Sequence, residues 1–156
     1  MGERLSILSQ RRAKPAVPFA GKYRIIDFTL SNCINSGIHN IIVLTQYQPV
    51  SLIEHIGVGT PWGLLPPDRN IRLLQPYLER ESRRDWYRGT ADAVFQNLDR
   101  ILDEDADEVI ILSGDHVYKM DYSRMLEFHR SYKADVTLAV TPMPENEYSH
   151  NMSPSD

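Results

Sequence analysis

Cysteine is nearly missing from this chain, and that scarcity excludes a class of architecture. With Cys33 alone no internal disulfide can form, which suits a reducing compartment. Long apolar runs are also missing. None approaches the length of about 18 residues that a membrane-spanning helix needs, and no apolar signal core opens the chain. No membrane partner is therefore expected, and the cytoplasm is the expected location. Excess positive charge is absent too: 17 Lys and Arg stand against 21 Asp and Glu, for a net charge of −4. That balance argues against general nucleic-acid binding. The sequence contains no Cys/His cluster with zinc spacing, no Walker loop and no complete GxGxxG.

What remains is ordinary globular material. The 156 residues suffice for about one domain. A chain of this size buries roughly two-thirds of its unfolded surface. Apolar residues make up 42% and charged residues 24%. The charge is unevenly spread. Residues 1–24 carry Arg4, Arg11, Arg12, Lys14, Lys22 and Arg24 against Glu3 alone, so this stretch is +5 and the remainder is −9. Such a basic opening can hold a small polyphosphate, or it can be a solvated loop.

Periodicity predicts alternating helices and strands. In IIDFTLSNCINSG, Ile26, Leu30, Cys33 and Ile34 share one helical face, and Gly37 is placed as the stop. Cys33 reads as core. NIIVLT (40–45) reads as a strand buried on both sides. QPVSLIEHIG reads as a short helix with Pro49 in its first turn. The Gly/Pro-rich 57–70 is a loop, IRLLQP (71–76) a strand, and the charged 78–89 another loop. TADAVFQNLDRILDED places Val94, Leu98, Ile101 and Leu102 on one helical face. EVIILSG (108–114) reads as a second buried strand. DYSRMLEFHRSYK reads as a helix capped by Asp121 with Tyr122, Met125, Leu126 and His129 on its apolar face. DVTLAVTP (135–142) reads as the last strand, and 145–156 as a polar, disordered tail. The connections are too long for hairpins, so the pattern calls for βαβ crossovers and a mostly parallel sheet. Ligands bind such sheets beyond the carboxyl ends of the strands, here after Thr45, Leu74 and Ser113.

Four segments at those places carry candidate chemistry. In SGDHVYKMD, Asp115 leaves the end of an apolar strand through Gly114. A carboxylate there suits magnesium, which takes one or two carboxylates plus substrate phosphates, and equally suits capping a turn. Its neighbour His116 reads as packed or hydrogen-bonded rather than as a base. In WYRGTADA, Gly89 permits close approach or a positive φ, Thr90 is a candidate N-cap, and Trp86 and Tyr87 offer flat faces to a base. In RRAKPAVPF, Pro15 extends Lys14, whose compact cation can reach a phosphate or lie in solvent. In TQY, the Gln46 amide can both donate to and accept from a base edge.

Taken together and in order, RAKPAVPFAGKYRIIDFTLSNCINSGI, LTQYQ, WYRGTADAVFQNL and SGDHVYKMDYSRML resemble the bacterial glucose-1-phosphate adenylyltransferases, a branch of the sugar-phosphate nucleotidyltransferases. The likeness covers roughly residues 2 to 144. It implies an α/β fold: a Rossmann-like, three-layer nucleotidyltransferase domain with a mostly parallel sheet. It also implies transfer of an adenylyl group from ATP to α-D-glucose 1-phosphate, giving ADP-glucose and pyrophosphate for glycogen synthesis. On this resemblance Arg4, Lys14 and Asp115 are catalytic. Gln46, Tyr87, Gly89 and Thr90 meet the nucleotide, and Asp115 holds Mg²⁺. The family's allosteric control would draw on basic N-terminal residues such as Arg11 and Arg12, and its full-length members are expected to be homotetramers.

The resemblance further implies pieces not found here. A first strand and two glycines of a GGxGxRL phosphate loop would precede Gly2, and the sugar-phosphate contacts, a second metal aspartate and a β-helix domain would follow. Residues 1–144 thus read as the N-terminal part of a catalytic domain, expected to be inactive alone and to have a gap where that central strand belongs. Two other functions fit the same residues: a non-catalytic nucleotide-binding or regulatory polypeptide, and a transferase using another nucleotide such as UTP.

Overall fold

The computed structural model describes residues 13–64, 70–76 and 86–142. The chain divides into two compact units, Met1–Asp121 and Tyr122–Asp156. In the first unit, a 3-10 turn at Lys14–Ala16 leads into a small antiparallel hairpin, β1 (Pro18–Phe19) and β2 (Tyr23–Arg24). Sequence periodicity did not anticipate this hairpin because its strands are too short to show alternation.

Helix α1 (Ile25–Asn35) follows directly. Its first turn is closed from one side: the Asp27 carboxylate accepts the Arg24 N–H at 3.0 Å, while the Arg24 guanidinium donates to Ser51 of the next helix. Gly37, with φ 78°, ends the helix where the sequence placed its stop. Strand β3 (Asn40–Leu44), helix α2 (Val50–Ile56) and strand β4 (Asn70–Leu74) form one parallel βαβ unit, in register from Asn40 opposite Asn70 to Leu44 opposite Leu74. Pro49 is the N-cap of α2 rather than a residue of its first turn.

The core is the contact between this pair and the two helices. Ile26 and Leu30 of α1, Leu52 and Ile56 of α2, Ala16, Leu64 and Ile71 are buried together. Ile41, Val43 and Leu73 pack against them, so alternate residues of both strands face the helices. Their other face is only half-buried, which corrects the expectation of a strand buried on both sides. The Glu104 carboxylate reaches Arg72 and the Asn40 amide, after α3 (Thr90–Gln96) and α4 (Leu98–Leu102).

The long helix expected over 90–105 is thus two short ones, broken at Asn97. Its inward residues are Ala93 and Asn97, while Leu98 and Leu102 are exposed. A polar residue won the buried position because it has partners to satisfy there. Residues 108–114 belong to no ladder among the described residues, and Val109 and Ile111 are 55% and 60% exposed. Among the described residues the ladders are β1–β2 and β3–β4 only. A strand needs a neighbour for its N–H and C=O groups, and apolar content does not supply one.

In the second unit, α5 (Ser123–Ser131) has Tyr122 as its N-cap residue, one position later than expected. Met125, Leu126 and His129 are half-buried along the expected face. The segment 135–142 is not a strand, and Val136, Leu138 and Val140 are exposed. The tail 145–156 lies outside the described residues.

Candidate functional site

Two side-chain groups of the first unit carry the sequence-predicted residues. One follows β3. The ladder continues one bond past the strand, from the Thr45 N–H to the Leu74 carbonyl at 3.0 Å, and delivers Gln46 at the carboxyl end. The Gln46 carboxamide oxygen accepts the Tyr87 N–H at 2.7 Å. Tyr47 stacks on Trp86 with ring centroids 4.9 Å apart, so Trp86 has one face occupied. The Tyr87 hydroxyl accepts from the Asn97 amide at 2.9 Å, and that amide also donates to the Ala93 carbonyl at 2.8 Å. Tyr87 is therefore held at its backbone and at the tip of its ring.

Gly89 is extended, and a Cβ there would meet nothing within 4 Å. The glycine is not in the left-handed region, which corrects the expectation of a positive φ. Gly89 is the cap residue of α3 and Thr90 is the first helical residue, so Thr90 is not the N-cap and no side chain caps this helix. Asp92 does the organising instead, accepting from the Arg88 N–H and the Gln96 amide, each at 2.8 Å.

The other group joins distant parts of the sequence. Lys14 Nζ lies 3.7 Å from Asp115 Oδ2. The other carboxylate oxygen accepts from the Ser113 hydroxyl at 2.5 Å and lies 3.0 Å from His116 Nδ1. The Ser113 hydrogen bond, with smaller help from His116 and Lys14, holds the Asp115 pKa below its ordinary value against a partial opposing effect of burial. His116 is hydrogen-bonded rather than packed, being largely exposed. Asp115 is therefore an ionised carboxylate, one-third exposed, with a cation beside it.

This donor set suits a hard divalent cation that shares its shell with phosphate oxygens, since such ions are held by one or two carboxylates plus substrate. No group of three or more His, Cys, Asp or Glu poised for a metal occurs among the described residues. Arg4, Arg11 and Arg12 lie outside the described residues. Cys33 is buried, and burial pushes its thiol up to about 11, in keeping with a core role.

Sequence reasoning missed Asn97, Asp92 and Ser113. Their signal was weak because each acts through another residue. A polar side chain on the inner line of a helix, as Asn97 is, was the one available clue.

This geometry sits in a recognisable frame: a parallel βαβ unit with polar groups beyond its carboxyl end, a cation paired to the Asp115 carboxylate, and a hydrogen-bonded tyrosine. The nucleotidyl transferase family model matches residues 1–151, and the chain belongs to that family, with the partial Rossmann-like α/β domain it entails. The chain is 61% identical over 150 residues to a protein of Thermomicrobium roseum named glucose-1-phosphate adenylyltransferase. That alignment covers 95% of this chain and 35% of the relative. Relatives of the same name from Clostridium kluyveri and a Thermotoga species are 58% and 53% identical, over 94% and 95% of this chain and 38% and 35% of their own lengths. The chain therefore spans little more than a third of the curated relatives it matches. Family members of this kind generally use a divalent metal, and no helix among the described residues is long and apolar enough to cross a membrane.

Proposed function

We propose that the chain carries the ATP-binding side of a glucose-1-phosphate adenylyltransferase site, working in the cytoplasm for glycogen synthesis. The observation that carries this reading is the Lys14–Asp115 pair, which joins a lysine cation to an ionised, partly open carboxylate in a chain of the nucleotidyl transferase family. The names of the relatives support ATP and glucose 1-phosphate as substrates and make UTP or a purely regulatory role the weaker readings.

In the proposed reaction an oxygen of the sugar phosphate attacks the α-phosphorus of ATP in line. The bond from that phosphorus to the bridging oxygen breaks, and its electron pair leaves with pyrophosphate. No general base is needed, because a sugar phosphate is already an anion at pH 7. The protein's task is positioning and charge neutralisation. Lys14, with Arg4, neutralises the phosphates. Gln46 and Tyr87 border the base, and the open space over Gly89 admits it, with Thr90 alongside. Mg²⁺ held by Asp115 would supply further positive charge at the phosphates.

Titration of the chain with ATP and with UTP in Mg²⁺ buffer, followed by calorimetry, tests the reading. ATP should bind more tightly, and Lys14→Ala should weaken it by about ten- to a hundredfold, the scale of one charge-assisted contact. Equal or tighter UTP binding, or ATP binding indifferent to Lys14, would overturn it.

A further inference from the structure

We infer that Thr29 and Asn32, two polar side chains of α1, are the positioning residues of the segment that bears Asp115. The inference rests on the proposed reading of Asp115 as the metal carboxylate. Both side chains are 5% exposed, on a helix whose neighbouring positions are apolar core. A polar group at that depth has a partner, and here both partners lie in one distant stretch. The Thr29 hydroxyl donates to the Ser113 carbonyl at 3.2 Å, and the Asn32 amide donates to the Tyr118 carbonyl at 3.0 Å.

The two donors are three residues apart on one helical face, as is Ile26 one step earlier. A Cβ on Gly114 would come within 2.7 Å of Ile26 Cδ1, so glycine lets the segment lie directly on the helix. One stripe of α1 thus meets residues 113, 114 and 118 and brackets Asp115. Ser113 passes the constraint on, since its backbone is held by Thr29 and its hydroxyl by the Asp115 carboxylate. Residues 109–113 take part in no ladder among the described residues. The helix supplies the anchoring that a ladder supplies to Gln46.

The test uses the 156-residue chain with Asn32→Leu, Thr29→Val and Thr29→Ser. It reads backbone amide relaxation by NMR and Mn²⁺ binding in the presence of ATP by electron paramagnetic resonance. Asn32→Leu should lower the order parameters of amides 114–117 from the rigid range of about 0.85 to below about 0.6, leaving β3 unchanged. It should weaken Mn²⁺ about five- to tenfold, as expected for one lost buried hydrogen bond. Thr29→Val should act in the same direction and less strongly, while Thr29→Ser, which keeps the hydroxyl, should match the parent. If Asn32→Leu does not fold, the valine and serine variants decide. Unchanged order parameters, or a loosened segment with unchanged Mn²⁺ binding, would overturn the inference. Parent Mn²⁺ binding that ignores Asp115→Asn would instead remove the proposed role of Asp115, and the order parameters would still judge the clamp.

Discussion

The residues proposed for the base and those proposed for the phosphates are built on opposite plans. Gln46, Tyr87 and Asn97 form a relay of short neutral hydrogen bonds that starts at a strand end and finishes on a buried amide. Lys14 and Asp115 form one wider contact of 3.7 Å, with 41% and 32% of their side chains exposed. Directional bonds suit a group that must present a fixed edge. A wet, loose ion pair suits charges that must change partners, because an exposed pair is worth only about 0–1 kcal/mol and is readily opened by an incoming phosphate or cation. A buried, tight pair would strand one charge when its partner was drawn away. The first region is thus ordered before ligand arrives, and the second is held ready to exchange.

Removing the charge that exchanges should have the largest effect. Asp115→Asn keeps the shape and the possibility of a Ser113 hydrogen bond, but it loses the anion. Mn²⁺ binding in the presence of ATP should fall by at least about 100-fold, at the upper end for losing a metal-site partner. Thermal unfolding should barely move, because so exposed an ion pair contributes little. A large loss of stability with metal binding intact would reverse the assignment of this region as functional rather than structural.

The same contrast explains what was readable beforehand. NIIVLT and EVIILSG are nearly the same kind of segment, yet only the first is a strand, because β4 returns beside it through α2. Helices α1 and α2, strands β3 and β4, and the stop at Gly37 follow from local pattern, and the structure has them. The pairing partner of 108–114 is a non-local matter that no local pattern contains. Site residues divide likewise. Lys14 and Gln46 stand out by their place next to a proline and a strand end, and Asp115 by its place after an apolar run. Asn97, Thr29 and Asn32 look like interruptions of an apolar face, and their roles emerge only when a partner 10 to 86 residues away is known.

The base side should answer to a substitution that leaves charge untouched. Asn97→Leu keeps volume and removes the donor shared by the Tyr87 hydroxyl and the Ala93 carbonyl. Leaving a buried acceptor without a donor costs about 1–3 kcal/mol, readable as a lower urea midpoint with an unchanged slope. ATP affinity should fall by a factor of about five as the tyrosine ring loses its anchor, and the Mn²⁺ affinity of the Asp115 region should change less. Equal losses in both would mean that the two regions are not independently built.

The smallest effect is one of pH, and it sharpens the comparison from the charged side. The folded pKa of Asp115 lies below its ordinary value, first through the Ser113 hydroxyl. Between the folded value and the unfolded one of about 3.9, the unfolded chain binds more protons, so stability rises with pH across that interval. The contribution is complete above about pH 4 and disappears as pH falls through the folded value. Urea unfolding of the parent and of Asp115→Asn should therefore converge at the acid end and separate slightly above about pH 4. Ser113→Ala should raise the carboxyl's titration point and narrow that separation. The Gln46–Tyr87–Asn97 relay involves only neutral side chains, so the stability difference between the parent and Asn97→Leu should stay level over the same range. A difference that titrated there would tie the base side to the charges at Asp115.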